Sequence, residues 1–113
     1  MDTQDLSIAE MGRLLRSRDV TAEALAHDAL ARVRERDGAL HAFVLLTEDR
    51  ALEDARRADA ELKAGRDRGP FHGIPYALKD IYDTAGIRTT CHSKLRLNNV
   101  PVPGAYGPSA DEM

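Results

Sequence analysis

Polar and apolar positions set out helices first and extended chain later. Ser7 followed three residues on by Glu10 forms a capping box, and Ile8, Met11, Leu14 and Leu15 then share one face, which predicts a helix ending near Ser17. Asp19 or Thr21 can cap a second helix with the apolar stripe Ala22, Leu25, Ala26, Ala29, Leu30 and Val33. Arg32, Arg34 and Arg36 suit its C-terminal dipole and Gly38 its stop. Ala42-Phe43-Val44-Leu45-Leu46 is a short unbroken apolar run and reads as a buried strand. Thr47 caps a third helix with Glu48 and Asp49 in its first turn, and Glu53–Arg57 and Asp59–Lys63 are i,i+4 pairs on its outer side. Its inner face, Ala51, Leu52, Ala55, Ala58 and Leu62, is rich in alanine and predicts close packing. Gly65 ends it, and Arg66-Asp67-Arg68-Gly69-Pro70 reads as an exposed turn. A second strand is expected from Ile74 to Lys79, so residues 42–79 predict a βαβ crossover and an α/β class. Two parallel strands alone are rarely stable, so further strands are expected beside them.

Charge sharpens the division. Residues 1–69 hold twelve of the sixteen basic and fifteen of the nineteen acidic residues, hence all of the net charge of −3. Residues 70–113 hold all five prolines. Such a balance argues against a nucleic-acid partner or an anionic membrane surface, which need clustered positive charge. No apolar stretch approaches the ~18 residues of a membrane span, and the opening Met-Asp-Thr-Gln-Asp lacks the basic and apolar regions of a secretory signal. One cysteine, Cys91, makes no internal disulfide, so a reduced, cytoplasmic protein is expected. At 113 residues the chain is one small domain or a piece of a larger one.

Gly69-Pro70-Phe71-His72-Gly73-Ile74-Pro75-Tyr76-Ala77-Leu78-Lys79-Asp80 is the segment richest in candidate chemistry. Its glycines and prolines predict a rigid loop, after which an apolar run brings Lys79 to a strand end. Burial among apolar neighbours would lower the lysine's hold on its proton and make it usable as a base. A plainer reading leaves Lys79 exposed and paired with an acid such as Asp83; on position alone this is the better one, since lysine is almost never fully buried.

This segment, followed by Asp83-Thr84-x-Gly86 and Thr89-Thr90-x-x-Ser93, resembles the N-terminal signature of the amidase signature family, a resemblance covering roughly residues 5–100. It implies an α/β fold with helices packed on a mixed β-sheet, present here as an incomplete N-terminal part over residues 1–100, with residues 101–113 an irregular tail. It also implies hydrolysis of carboxamide C–N bonds by a serine–cis-serine–lysine triad, with no organic cofactor and no metal, in which Lys79 takes the place of the catalytic lysine. The family's two serines lie in a Gly/Ser-rich stretch well beyond the lysine. The serines here are Ser7, Ser17, Ser93 and Ser109, and none sits in such a run. Lys79 is therefore the one catalytic residue carried over, and the chain is expected to be a truncated or frame-shifted portion, inactive alone and prone to self-association through unpaired strand edges. The expected partner of the full-length family is a small-molecule amide. Two rival readings are a non-catalytic interaction module derived from an amidase and a piece of the A subunit of an aminoacyl-tRNA amidotransferase.

The remaining candidates weigh towards structure. His72, between Phe71 and Gly73 in a tight turn, reads as a hydrogen-bonding residue more readily than as a base or ligand. Asp80 either orients Lys79 or, pointing to the other face, holds the adjacent loop. Tyr76 and Tyr82 read as core or rim aromatics. Cys91 and His92 are sequence neighbours in an extended segment, so they point opposite ways and form no dyad with each other. His27, His41, His72 and His92 with one cysteine have no zinc-site spacing.

Overall fold

The computed structural model describes residues 3, 5–43, 45–78, 86–87 and 100. The chain divides into two compact units, Met1–Pro75 and Tyr76–Met113. The first is built from three helices: α1 (Ile8–Ser17), α2 (Ala22–Leu40) and α3 (Glu48–Lys63).

Local chemistry explains most helix ends. At α1 the Ser7 hydroxyl accepts the Glu10 N–H at 3.1 Å and the Glu10 carboxylate accepts the Ser7 N–H at 2.8 Å, the expected capping box. The helix closes in a Schellman arrangement: Asp19 N–H donates to the Leu14 carbonyl and Arg18 N–H to that of Leu15, with Arg18 left-handed at φ 64°. Thr21 caps α2, its hydroxyl accepting the Ala24 N–H at 3.0 Å, whereas Thr47, expected to cap α3, makes no side-chain cap hydrogen bond. The same Schellman pattern closes α3 at Gly65, where Arg66 N–H donates to the Glu61 carbonyl and Gly65 N–H to that of Leu62. The expected stop at Gly38 is displaced, because α2 continues to Leu40 and ends on His41 in the left-handed region at φ 51°. Asp37 produces that ending. Its carbonyl accepts the His41 N–H at 2.7 Å, and its carboxylate accepts the N–H groups of Ala42 and Phe43 at 2.6 and 3.1 Å.

The same contacts correct the first expected strand. Two donors that a β-ladder would need at Ala42 and Phe43 are taken by Asp37. Residues 42, 43, 45 and 46 carry no strand, and Phe43, Leu45 and Leu46 are exposed rather than buried. Residues 74–78, the described part of the second expected strand, are likewise irregular, and the Ile74 N–H closes a turn onto Phe71. A strand is defined by its ladder partner. Among the described residues no strand element forms, so the predicted βαβ unit and mixed sheet are not seen there and the described architecture is helical. The tail over residues 101–113 lies outside the described residues.

Leu15, Ala22, Leu25, Ala26 and Ala55 form the core of the first unit, with Met11, Val20, Leu52, Ala58, Leu62 and Ile74 packed against it. The stripes anticipated on α1, α2 and α3 supply all of these but Val20 and Ile74, although Ile8, the first apolar residue of α1, is half exposed. Alanines at 22, 26, 55 and 58 lie in or against this core, where α2 and α3 pack together. Leu25 is the largest side chain fully withdrawn from water, a burial contributing about 2–3 kcal/mol.

Polar ties hold the helices in place. Arg34 of α2 grips Glu48 of α3 with both arms of its guanidinium, and Arg56 of α3 lies 3.2 Å from Glu23 of α2. Asp59 does not serve as an outward ion-pair residue. Its two carboxylate oxygens accept the N–H groups of Ala22 and Glu23 at 2.6 and 3.0 Å, so α3 caps the N-terminus of α2. Arg57, expected to pair with Glu53, lies instead 2.5 Å from Asp54.

Candidate active-site segment

The lysine-bearing signature begins in a loop, residues 66–75, that leaves α3 and crosses back over α1. Its first anchor is Arg16, in the last turn of α1. The guanidinium donates through Nε and Nη2 to the two carboxylate oxygens of Asp67, both at 2.8 Å, and Nη2 also donates to the Gly69 carbonyl at 2.7 Å. Nη1 donates to the Gly12 carbonyl at 3.0 Å, one turn back along α1. Gly12 leaves room for this fold-back: a Cβ there would stand 3.2 Å from Arg16 Nη1 and 3.7 Å from the Pro70 carbonyl oxygen. Asp67 also accepts the Gly69 N–H at 2.9 Å. The Arg16 hydrogen bonds, followed by the Gly69 N–H, hold its carboxyl below the ordinary aspartate range.

His72 is the second anchor. Its Nδ1 accepts the Arg68 N–H at 3.2 Å, and its Nε2 lies 3.1 Å from the Ala58 carbonyl oxygen in α3. An accepting Nδ1 assigns the proton to Nε2, which donates to the Ala58 carbonyl, so both ring nitrogens are engaged. This is the hydrogen-bonding role its tight-turn setting predicts, and it leaves no nitrogen for a ligand. Gly73 forms the third anchor. It adopts φ +85°, and a Cβ on it would stand 3.1 Å from Leu15 Cδ1 and 3.4 Å from Ala22 Cβ. The loop backbone therefore lies directly on the core, and Ile74 inserts beside it. Phe71 and Tyr76 are exposed, so neither is a core aromatic.

Lys79, Asp80, Tyr82, Asp83, Cys91, His92, Ser93 and Ser109 lie outside the described residues. Ser7 and Ser17 are both occupied at the ends of α1. Ser7 caps the start, and the Ser17 hydroxyl contacts the Leu14 carbonyl at 3.2 Å and the Asp19 carboxylate at 2.7 Å. His27 lies 3.6 Å from Glu23 on the outside of α2, far along the chain from His72. Among the described residues no three His, Cys, Asp or Glu side chains converge as a metal site would require, and no helix is long and apolar enough to cross a membrane. Arg16 and Asp67 were not marked by the sequence pattern. They are 51 positions apart, and the one local hint was Gly12, a small residue one turn before an arginine.

The family model described as Amidase matches residues 24–105, a span that contains the anchored loop and Lys79. The chain belongs to the amidase family. It is 40% identical over 96 residues to the A subunit of the glutamyl-tRNA(Gln) amidotransferase of Prochlorococcus marinus (strain MIT 9211), covering 85% of this chain and 20% of that protein. The protein of the same name from Heliobacterium modesticaldum (strain ATCC 51547 / Ice1) is 44% identical over 92 residues, or 81% of this chain and 19% of that one. Among solved structures, the crystal structure of PAM12A matches with a TM-score of 0.82 at 30% identity, over 88% of this chain and 21% of that one. This amidase-family chain thus spans about one fifth of the length of the curated relatives it matches. The likeness in fold to that solved structure extends over 88% of this chain.

Proposed function

We propose that this amidase-family chain supplies the general base of an amide hydrolase, Lys79, and that the serines it serves come from sequence outside these 113 residues. In the reaction, the neutral amine of Lys79 takes a proton from a bridging serine, which takes one from the nucleophilic serine. That serine's oxygen attacks the carboxamide carbon. Collapse of the tetrahedral intermediate breaks the C–N bond, the proton passes back to the leaving nitrogen, and ammonia or an amine departs. Water then cleaves the acyl-serine ester to a carboxylic acid. The observation that carries this reading is the run from Gly69 to Asp80, with its lysine, inside the family match at 24–105.

A second reading follows from the relatives themselves. Several are named as the A subunit of a glutamyl-tRNA(Gln) amidotransferase, at 34–44% identity, so the segment also fits a portion of such a protein. The two readings share Lys79 and its chemistry and differ in what accepts the nitrogen: water-driven hydrolysis releases free ammonia, whereas transfer delivers it to an aminoacyl group.

One experiment tests the proposal. The chain is assayed for ammonia release from a panel of simple carboxamides, alone and joined in frame to the remaining sequence of a relative in place of that relative's own opening. The expected outcome is no release by the chain alone and release by the joined protein. Turnover by the 113 residues alone would contradict the division of the triad, and a folded but inactive joined protein would contradict the function.

A further inference from the structure

The half-buried ring of His72 joins the loop after α3 to α3 itself. Its Nδ1 accepts the Arg68 N–H at 3.2 Å, and its Nε2 donates to the Ala58 carbonyl at 3.1 Å. The bond to Ala58 survives protonation of the ring, since Nε2 carries a hydrogen in both charge states. The bond from Arg68 does not. A protonated Nδ1 is a donor, and it would stand against the Arg68 N–H, which is a donor too. Histidine is the side chain whose change of charge ordinarily falls between about pH 5 and pH 8.

The stretch that this bond holds can move at both ends. Arg66, Asp67 and Arg68 lie between Gly65 at φ +82° and Gly69 at φ +129°, and a Cβ on either glycine would meet nothing within 4 Å. Glycine turns of this kind, with no packing around them, leave the backbone other conformations to visit. The charges about the ring come from three elements. Asp67 of the loop interacts favourably with a charged imidazole, and its partner is Arg16 of α1. Arg68 sets its guanidinium 2.7 Å from Glu61 of α3, and Arg66 adds one further cation to the loop. Two carboxylates and three arginines nearly balance, and most of these side chains are open to screening by salt. The hydrogen bond that inverts therefore decides the response.

We propose that His72 is a pH-sensitive clasp on residues 66–69. With Nδ1 bare it fastens the Arg68 backbone to α3, and on protonation it lets that backbone go while keeping its own bond to Ala58. The clasp lies within the first unit and is independent of the chemistry proposed for Lys79.

Nuclear magnetic resonance on the whole chain provides the test. The ring nitrogens of His72 and the Arg68 amide are followed from about pH 8 to about pH 5, with amide exchange expressed relative to an unstructured chain at each pH. The expected result is one transition shared by the ring and the Arg68 amide. Across it, protection of that amide should fall roughly three- to tenfold, the size of one hydrogen bond of ordinary net strength. The Ala58 amide, inside α3, should keep its protection. His72→Gln, which offers an acceptor oxygen and a donor nitrogen but does not titrate, should protect Arg68 alike at both ends of the range. His27→Gln, on the outside of α2, should leave the transition unchanged. If His72→Gln lowers helix content, the comparison of ring and amide in the parent chain decides alone. Flat protection at Arg68 while the His72 ring titrates would overturn the proposal, as would a ring that stays uncharged down to about pH 5. A fall that persists in folded His72→Gln, or that follows the ring of His27, would overturn it as well.

Discussion

At Gly73 the backbone is positive in φ and a Cβ would meet Leu15 Cδ1 at 3.1 Å. Gly73→Ala must hold a side chain in the left-handed region and push on a buried leucine, so it should destabilise the helical unit by about 1–3 kcal/mol, read as a lowered urea midpoint. Gly38, inside α2 with nothing near its missing Cβ, gives the opposite case: Gly38→Ala should stabilise by roughly 0.5–1 kcal/mol through helix propensity. Among the described residues, two aspartates have carboxyls held below their ordinary value. Asp28 is held below its ordinary value of 3.8 first by the Thr3 hydroxyl, against a desolvation penalty, and then by Arg32. Asp67 is lowered first by Arg16. A depressed folded value means that the stabilisation is complete above about pH 4 and is lost as pH falls through the lower, folded value. Melting temperature followed from about pH 5 to pH 2 should decline in the parent chain and decline less in an Asp28→Asn/Asp67→Asn double variant. His72 was legible as a structural histidine from its setting between Phe71 and Gly73. Arg16 was not, because its partner lies 51 positions away.

At the scale of elements, what could be read was what is local. The Ser7–Glu10 box, the Thr21 cap and the Gly65 ending each involve residues a few positions apart, and their spacing marks them in the sequence. Gly38 misled because a helix stops where its last carbonyls and the following donors find other partners, and Asp37 provides those two residues further on. Periodicity suggested Asp59 as an outward partner of Lys63, whereas it caps a different helix 36–37 positions away. The prediction from this geometry is specific. Asp59→Ala should cost about 1–2 kcal/mol by leaving two N–H groups at the start of α2 without their acceptor, while Asp59→Asn, which keeps one side-chain oxygen, should cost less. Thermal melts of the two variants beside the parent chain measure the difference. The apolar run at 42–46 suggested a buried strand, yet apolar sequence says nothing of the partner strand that a ladder requires. Among the described residues that partner is not present, and Phe43, Leu45 and Leu46 face outwards.

For the molecule as a whole, the signature from Gly69 to Asp80 carried more than periodicity did. It pointed to the amidase family, which the match over 24–105 shows. The helices α1–α3 make sense in that setting as a platform: their core seats Gly73 and Ile74, and their polar edges hold Asp67, Gly69 and His72. The chain covers about a fifth of the length of its relatives, and the proposed function gives it one contribution to a larger catalytic site. The central claim is that Lys79 is that contribution. Its most direct test is the rate of ammonia release by the joined protein carrying Lys79→Ala, with Ser93→Ala beside it. The account predicts that Lys79→Ala loses about 10²–10⁴-fold in kcat, the size expected for a missing general base, while Ser93→Ala keeps its turnover. Retained activity in Lys79→Ala, with the protein folded, would contradict it.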